Sequence, residues 1–386
     1  MLAVLAPGQG SQKPGFLTPW LSQPDAEERL RRWSELAGLD LAHLGTEADA
    51  DAIKDTASTQ PLLVAAALLA AESLPLSDVP VVAGHSVGEL GAAAIAGVLA
   101  PDAAVTLSAV RGREMAAACA LEPTSMAAVL GGVEEEVLEA ISAAGLYPAN
   151  RNGAGQIVAA GSLAGLEKLQ AEPPARARII SLAVAGAFHT PYMAPAEAAL
   201  GIVANDITTT DPTRILLSNL DGTAVTSGAE VLRRLVAQVT APVRWDLCMA
   251  TLADLGVTAI IELPPAGTLA GLAKRALKGI EIVTLNTPDD LPAARELIAA
   301  HAAAGTHEPT PQFSVVVATT GGNFIPAEGI DEGHELTVGA VIGQITTRQG
   351  PIDVATHAAG VLTEWLAHHD DPVGPGQPLA RIGGHL

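Results

Sequence analysis

The sequence predicts an α/β body with a parallel sheet, interrupted by a small insert of different strand order and followed by an all-β module. Three observations predict it. From about Ser58 to Ile298, helical patterns alternate with short β-branched runs such as VPVVAG and VTAIIEL, the arrangement of strand-helix-strand units. From Thr124 to Ala187 the pattern changes to MAAVLGG, an acidic helix EEEVLEAISAAG, then GQIVAAG, a helix SLAGLEKLQ and ARIISLAV. Past Leu297, glycines, prolines and short β-prone runs take over, as in SVVVATTGGNF and GQPLARI.

Each segment then takes its place in order. The β-α-β-β-α-β pattern of residues 124–187 reads as a ferredoxin-like subdomain set between 1–123 and 188–298 of the α/β body. The stretch AAHAAAGTHEPTPQ is Ala-rich and contains prolines, and it reads as a linker over residues 299–312. Residues 313–386 form the all-β module, within the usual size range of a domain. Inside it, VGAVIGQI from Val338 to Ile345 resembles VGPGQPLARI from Val373 to Ile382, which predicts a quasi-two-fold β-sandwich.

Composition narrows the function classes. Of 386 residues 49% are hydrophobic but only 3% aromatic, so the core must be built from Ala, Val, Leu and Ile, and the length predicts at least two domains. No apolar run reaches the roughly 18 residues of a membrane span, and MLAVLAPGQG lacks the marks of a signal peptide. A soluble, cytoplasmic protein without membrane partners is expected. The net charge of -21 argues against nucleic-acid binding, which needs a basic footprint. Cys119 and Cys248 stand too far apart for a short metal or redox motif and read as buried apolar groups. No metal site is expected. The tail histidines, His368 and His369 among them, lack a partner pattern of Cys or spaced carboxylates and read as exposed loop residues.

The chemistry centres on GHSVGE, Gly84 to Glu89. VPVVA before Gly84 reads as a strand, and ELGAAAIA after Gly88 as a helix stopped at Gly97. G-x-S-x-G between strand and helix is the pattern of a nucleophile elbow, whose sharp turn leaves no room for Cβ atoms at the glycines. Ser86 then projects its hydroxyl beside helix-start amides able to hold an oxyanion. A neutral serine needs a base. Of the histidines in the α/β body, His43 falls in the helical N-terminal region and His85 should point away from its neighbour. His189 in AGAFHTPYM is the base by elimination, with a hydrogen-bonded structural histidine as the competing reading. No carboxylate between Ser86 and His189, Asp102 included, has surroundings that mark it as the acid of a triad.

Six ordered stretches, PGQGSQ, GHSVGE, AVRGREM, NRNGAGQIVAAG, AFHTPYM and ELPPAGTLAGLAKR, resemble the malonyl-CoA:acyl carrier protein transacylase family from about Leu2 to Thr287. The resemblance implies a parallel-sheet, hydrolase-like acyltransferase body, malonyl-CoA and acyl carrier protein as partners, and a place in fatty acid or polyketide biosynthesis. It makes Ser86 the acylated nucleophile and His189 its base, oriented by the backbone carbonyl of Gln238 ahead of PVRW. It assigns the oxyanion hole to the amides of Gln9 and Val87, and the malonyl carboxylate to Arg111. A guanidinium suits that task because it binds a carboxylate bidentately, through charge-assisted bonds of about 1.5 to 3 kcal/mol each. Without the resemblance, Arg111 reads first as a helix-surface arginine in a salt bridge. Phe188 and Val87 imply a preference for malonyl over methylmalonyl, worth only roughly 1 to 3 kcal/mol for one methyl group. A serine esterase or thioesterase, an acyltransferase for another acyl-CoA, and a scaffold without activity are the rivals.

Carrier proteins are acidic, so a local basic patch must outweigh the global charge. Lys274, Arg275 and Lys278, at helical spacing, form the first candidate patch, and Arg29, Arg31 and Arg32 the second. The tail, in its glycines and internal repetition, resembles a biotinyl or lipoyl carrier domain. Such domains carry their cofactor on a lysine at a hairpin tip, here near Arg348, Gln349 and Gly350, yet the last lysine in the chain is Lys278. An unmodified module without biotin or lipoate is expected.

Overall fold

A computed structural model describes residues 1–304, 313–327, 329–347, 350–356 and 359–383. The chain divides into two compact units, residues 1–304 and 305–386.

The first unit is built on a five-stranded sheet in the order Ile215–Leu216, Val81–Gly84, Leu2–Ala6, Ala259–Glu262, Glu281–Thr284, with every pairing parallel. Its three central strands are buried at every position, because helices cover both faces. Alternate side chains go opposite ways: Leu2, Val4 and Ala6 pack with Trp20, Ala67 and Leu291, whereas Ala3 and Leu5 pack with Trp245, Leu252 and Leu269. Helices Thr56–Glu72 and Pro101–Cys119 sit in the largest core cluster.

Residues 124–181 add a four-stranded antiparallel sheet in the order Tyr147–Gly153, Gln156–Ser162, Thr124–Gly131, Ala177–Ser181. One face packs Val129, Ile157 and Ala159 on Val137 and Ile141 of helix Glu134–Ala143 and Leu169 of helix Leu163–Ala171. The opposite face gives Met126, Val158 and Ala160 to the main core. Backbone bonds from Arg151 N–H to the Val243 carbonyl (2.9 Å) and from Val243 N–H to the Ala149 carbonyl (2.9 Å) tie this sheet to the body.

Two expectations are corrected. The stretch 299–304, expected in the linker, continues helix Leu291–Ala304, since its alanines favour helix and no proline intervenes before Pro309. Residues 305–312 of the expected linker lie outside the described residues. Helix Thr268–Ala276 stops before Lys278, so Lys278 does not share a helical face with Lys274 and Arg275.

The second unit holds two four-stranded antiparallel sheets. One runs Phe313–Val317, Pro378–Gly383, Gly360–Trp365, Glu335–Leu336, and the other Gly350–Ala355, Val341–Thr347, Gly322–Pro326, Asp371–Val373. Exchanging the first four strands of this unit for its last four converts one order into the other. Val341–Thr347 and Pro378–Gly383, from the two similar sequence segments, hold the same position in their sheets. Phe324, Ile342, Ile345, Leu362, Leu379 and Ile382 are buried in its core. Arg348 and Gln349, expected at a hairpin tip, lie outside the described residues, and Gly350 opens a strand.

Candidate active site

Strand Val81–Gly84 runs into helix Gly88–Ile95 through a turn in which Ser86 takes a φ of 54°, a left-handed conformation that side chains rarely adopt. The flanking glycines make the turn possible. A Cβ on Gly84 would stand 2.2 Å from the Gly88 carbonyl, and one on Gly88 would stand 2.2 Å from the Ala6 oxygen. Gly97, at φ 82°, follows the end of the helix.

His189 also has a positive φ, 58°. Its Nε2 lies 2.7 Å from Ser86 Oγ, and its Nδ1 lies 2.8 Å from the carbonyl oxygen of Gln238. A carbonyl only accepts, so Nδ1 carries the hydrogen and Nε2 offers its lone pair to the serine hydroxyl. Burial, then the nearby Arg111 charge, push the His189 pKa down to about 3.

Arg111, on helix Pro101–Cys119, is 2% exposed, and among the described residues no carboxylate lies within ion-pair distance of it. Its Nη1 donates to Gln60 Oε1 (2.7 Å), and its Nη2 to Gln238 Oε1 (2.9 Å) and to Ser86 Oγ (3.3 Å). Among the described residues its Nε has no partner. The reading as a surface salt-bridge arginine therefore fails. Burial lowers its pKa to about 10, which leaves it charged at neutral pH.

Around these groups opens a cleft of about 510 Å³. Gln9, Val87, Phe188 and Lys54 line it from the body, and Met126, Asn152 and Val158 from the four-stranded sheet. The backbone amides of Gln9 and Val87 are not engaged by other groups among the described residues. Phe188 is 7% exposed and belongs both to the cleft wall and to the core. A wider surface hollow of about 680 Å³ beside helix Ala26–Ala37 contains none of these groups.

Helix Thr268–Ala276 lines the same cleft with Thr268, Leu269 and Leu272 and carries Lys274 and Arg275 in exposed positions. The other basic cluster is already neutralised: Arg29, Arg31 and Arg32 pair with Glu72, Glu35 and Asp102. Asp102 is thereby placed away from His189. His85 turns its Nε2 to Asn152 Oδ1 (2.9 Å) and its ring edge to Trp245.

Four buried polar residues escaped sequence reasoning: Gln60, Glu89, Asn219 and the side chain of Gln238. Glu89 interrupts an otherwise apolar helix, and Gln60 stands at the head of the apolar run from Pro61 to Ala71, a signal that a buried polar partner awaits them. Asn219, in the turn-forming SNLDG, gives no such signal. Glu89 accepts from Asn219 N–H (2.7 Å) and from Gln238 Nε2, and burial pushes its pKa up to about 8.

The fold and the site together define an acyltransferase, and residues 5–305 match the family model described as the acyl transferase domain. The chain is 57% identical over 296 residues to the malonyl CoA-acyl carrier protein transacylase of Mycobacterium tuberculosis, spanning 75% of this chain and 98% of that one. It is 33% identical over 305 residues to the Escherichia coli protein of the same name, across 76% of this chain and 99% of the relative. It belongs to the malonyl CoA-acyl carrier protein transacylase family. A crystal structure of the Mycobacterium tuberculosis MCAT matches with a TM-score of 0.75 at 57% identity, covering 76% of this chain and 99% of that one. A malonyl-transacylase solved in complex with its type II PKS acyl-carrier protein matches with a TM-score of 0.69 at 28% identity, over 77% of this chain and 99% of that one. The family match ends at residue 305, so the second unit lies outside it.

Proposed function

We propose that this chain moves a malonyl group from malonyl-CoA to the phosphopantetheine thiol of an acyl carrier protein, in fatty acid biosynthesis, through an ester on Ser86. The observation that carries this reading is the placement of one oxygen, Ser86 Oγ, between the His189 imidazole (2.7 Å) and the Arg111 guanidinium (3.3 Å).

In the first half-reaction Nε2 of His189 takes the serine proton as Oγ attacks the thioester carbonyl. The amides of Gln9 and Val87 receive the oxyanion, and because amides do this their side chains are free to vary. The tetrahedral intermediate collapses, the carbon–sulfur bond breaks, and the CoA thiolate leaves with the proton from His189. In the second half His189 deprotonates the carrier thiol, the thiolate attacks the ester, and the serine oxygen recovers the proton as it departs. Arg111 grips the malonyl carboxylate throughout, and its lack of an Nε partner and of an ion pair among the described residues supports that role. Phe188 and Val87 crowd the acyl site and favour malonyl over a methyl-branched group. The exposed Lys274 and Arg275, on a helix that lines the cleft, receive the acidic carrier protein.

In this reading the body is a hydrolase-like acyltransferase, and the strand order of residues 124–181 supports a ferredoxin-like subdomain. The strand exchange between the two sheets of the second unit supports a biotinyl- or lipoyl-like module, held unmodified for want of a lysine after Lys278.

Intact-protein mass spectrometry after mixing with malonyl-CoA tests the function. A malonyl adduct that Ser86→Ala abolishes, and that holo-carrier protein discharges, is the expected result. Hydrolysis without any dependence on the acceptor thiol would instead indicate an esterase. The same spectrum tests the module, whose mass should contain no biotinyl or lipoyl group.

A further inference from the structure

Asn219 lies between strand Ile215–Leu216 and helix Gly228–Ala237 and is fully buried, away from the cleft wall. Its side-chain carboxamide bridges the serine turn. Oδ1 accepts the N–H of Ser86 at 2.8 Å, and Nδ2 donates to the carbonyl of Gly84 at 2.8 Å. A backbone N–H only donates and a carbonyl only accepts, so the amide can stand there in one orientation. Asn219 is itself fixed at both ends of its peptide. Its N–H donates to Glu89 Oε1 (2.7 Å), and its carbonyl accepts from Arg244 N–H (2.7 Å).

Ser86 needs such a support. A non-glycine residue held at positive φ costs about 1 to 3 kcal/mol and persists only where its surroundings over-determine it. The turn also takes the Ser86 N–H and the Gly84 carbonyl out of the strand ladder's reach. Asn219 satisfies both, and buried backbone groups left without partners are expensive.

We propose that Asn219 is a positioning residue that splints the nucleophile turn and so sets the separation between Ser86 Oγ and His189 Nε2. It touches no reacting atom and acts through the Ser86 backbone, on whichever acyl group is being transferred. The proposal rests on the acyl-serine step of the proposed function, though not on the malonyl specificity.

The test compares Asn219→Ala and Asn219→Asp with wild type in single-turnover release of CoA from malonyl-CoA and acetyl-CoA. In the aspartate variant an oxygen faces the Gly84 carbonyl in place of the Nδ2 donor. The expected result is a fall in the acylation rate constant of about 10²-fold, the scale for a misplaced reacting group, equal for both acyl groups and with KM little changed. Labelling of Ser86 by a small fluorophosphonate should slow in parallel. Thermal melts establish that the variants fold, and Asn219→Ser supplies the comparison if either does not. A folded variant that acylates at the wild-type rate overturns the proposal. So does a loss confined to malonyl-CoA or to KM, which would route Asn219 through Arg111. Failure of the underlying reading looks different: Ser86→Ala would still acylate.

Discussion

Arg111 Nη2 lies 3.3 Å from Ser86 Oγ, so the buried guanidinium and the nucleophile face the same point in the cleft. The charge is held there by amides instead of carboxylates, Gln60 on Nη1 and Gln238 on Nη2, so that among the described residues its positive charge has no carboxylate at contact distance. An incoming carboxylate meets an unneutralised partner.

Arg111→Ala should therefore lower kcat/KM for malonyl-CoA by on the order of 10- to 100-fold, the value of one charge-assisted hydrogen bond, while acetyl transfer changes far less. Gln238→Ala should show the same bias more weakly. It removes the contact to Arg111 but keeps the backbone carbonyl that orients His189. Steady-state kinetics with both acyl-CoAs checks this, and equal losses would contradict the anchoring role.

The pH dependence follows from His189. Its working form is the neutral imidazole, and its pKa is lowered to about 3, chiefly by burial. Acid therefore removes the base only below that value. The rate of CoA release in the free enzyme should stay flat from about pH 7, below the value of Glu89, to about pH 5, with no limb near the ordinary histidine value of about 6.5. A limb at 6.5 in kcat/KM would show that His189 titrates as a solvated group.

Gly88→Ala should destabilise the protein by about 1 to 3 kcal/mol or more, because the new methyl meets backbone that has no rotamer to yield. The Ala6 oxygen would stand 2.2 Å away. Gly271→Ala is the control. It lies inside a helix with Arg275 Nη1 3.8 Å from the new methyl, so it should be neutral or stabilising by about 0.5 to 1 kcal/mol. Thermal melts of the two variants should move in opposite directions or differ clearly.

Reversing charge at Lys274 and Arg275 should slow transfer to the carrier protein and weaken its salt dependence, while the first release of CoA is unaffected. Reversal at Arg31, already paired with Glu35, should leave both steps near wild type. An unchanged transfer rate in the Lys274 and Arg275 variant would remove the patch.

Much of this protein is local and was written plainly in the chain. The strand-turn-helix about Ser86, the alternation of strands and helices, and the two similar segments of the tail depend on neighbouring residues and on period. The sequence also named His189, though only by elimination and resemblance, since 103 residues separate it from Ser86. The helix that ran on to Ala304 was lost to composition, where alanine followed by Gly and Pro read as linker. Only the tertiary structure decided how Gln60, Glu89, Asn219 and Gln238 share their hydrogen bonds. The reason is physical: a buried amide or carboxyl takes its role from whichever donors and acceptors long-range folding brings within about 3 Å, and no local pattern encodes that choice.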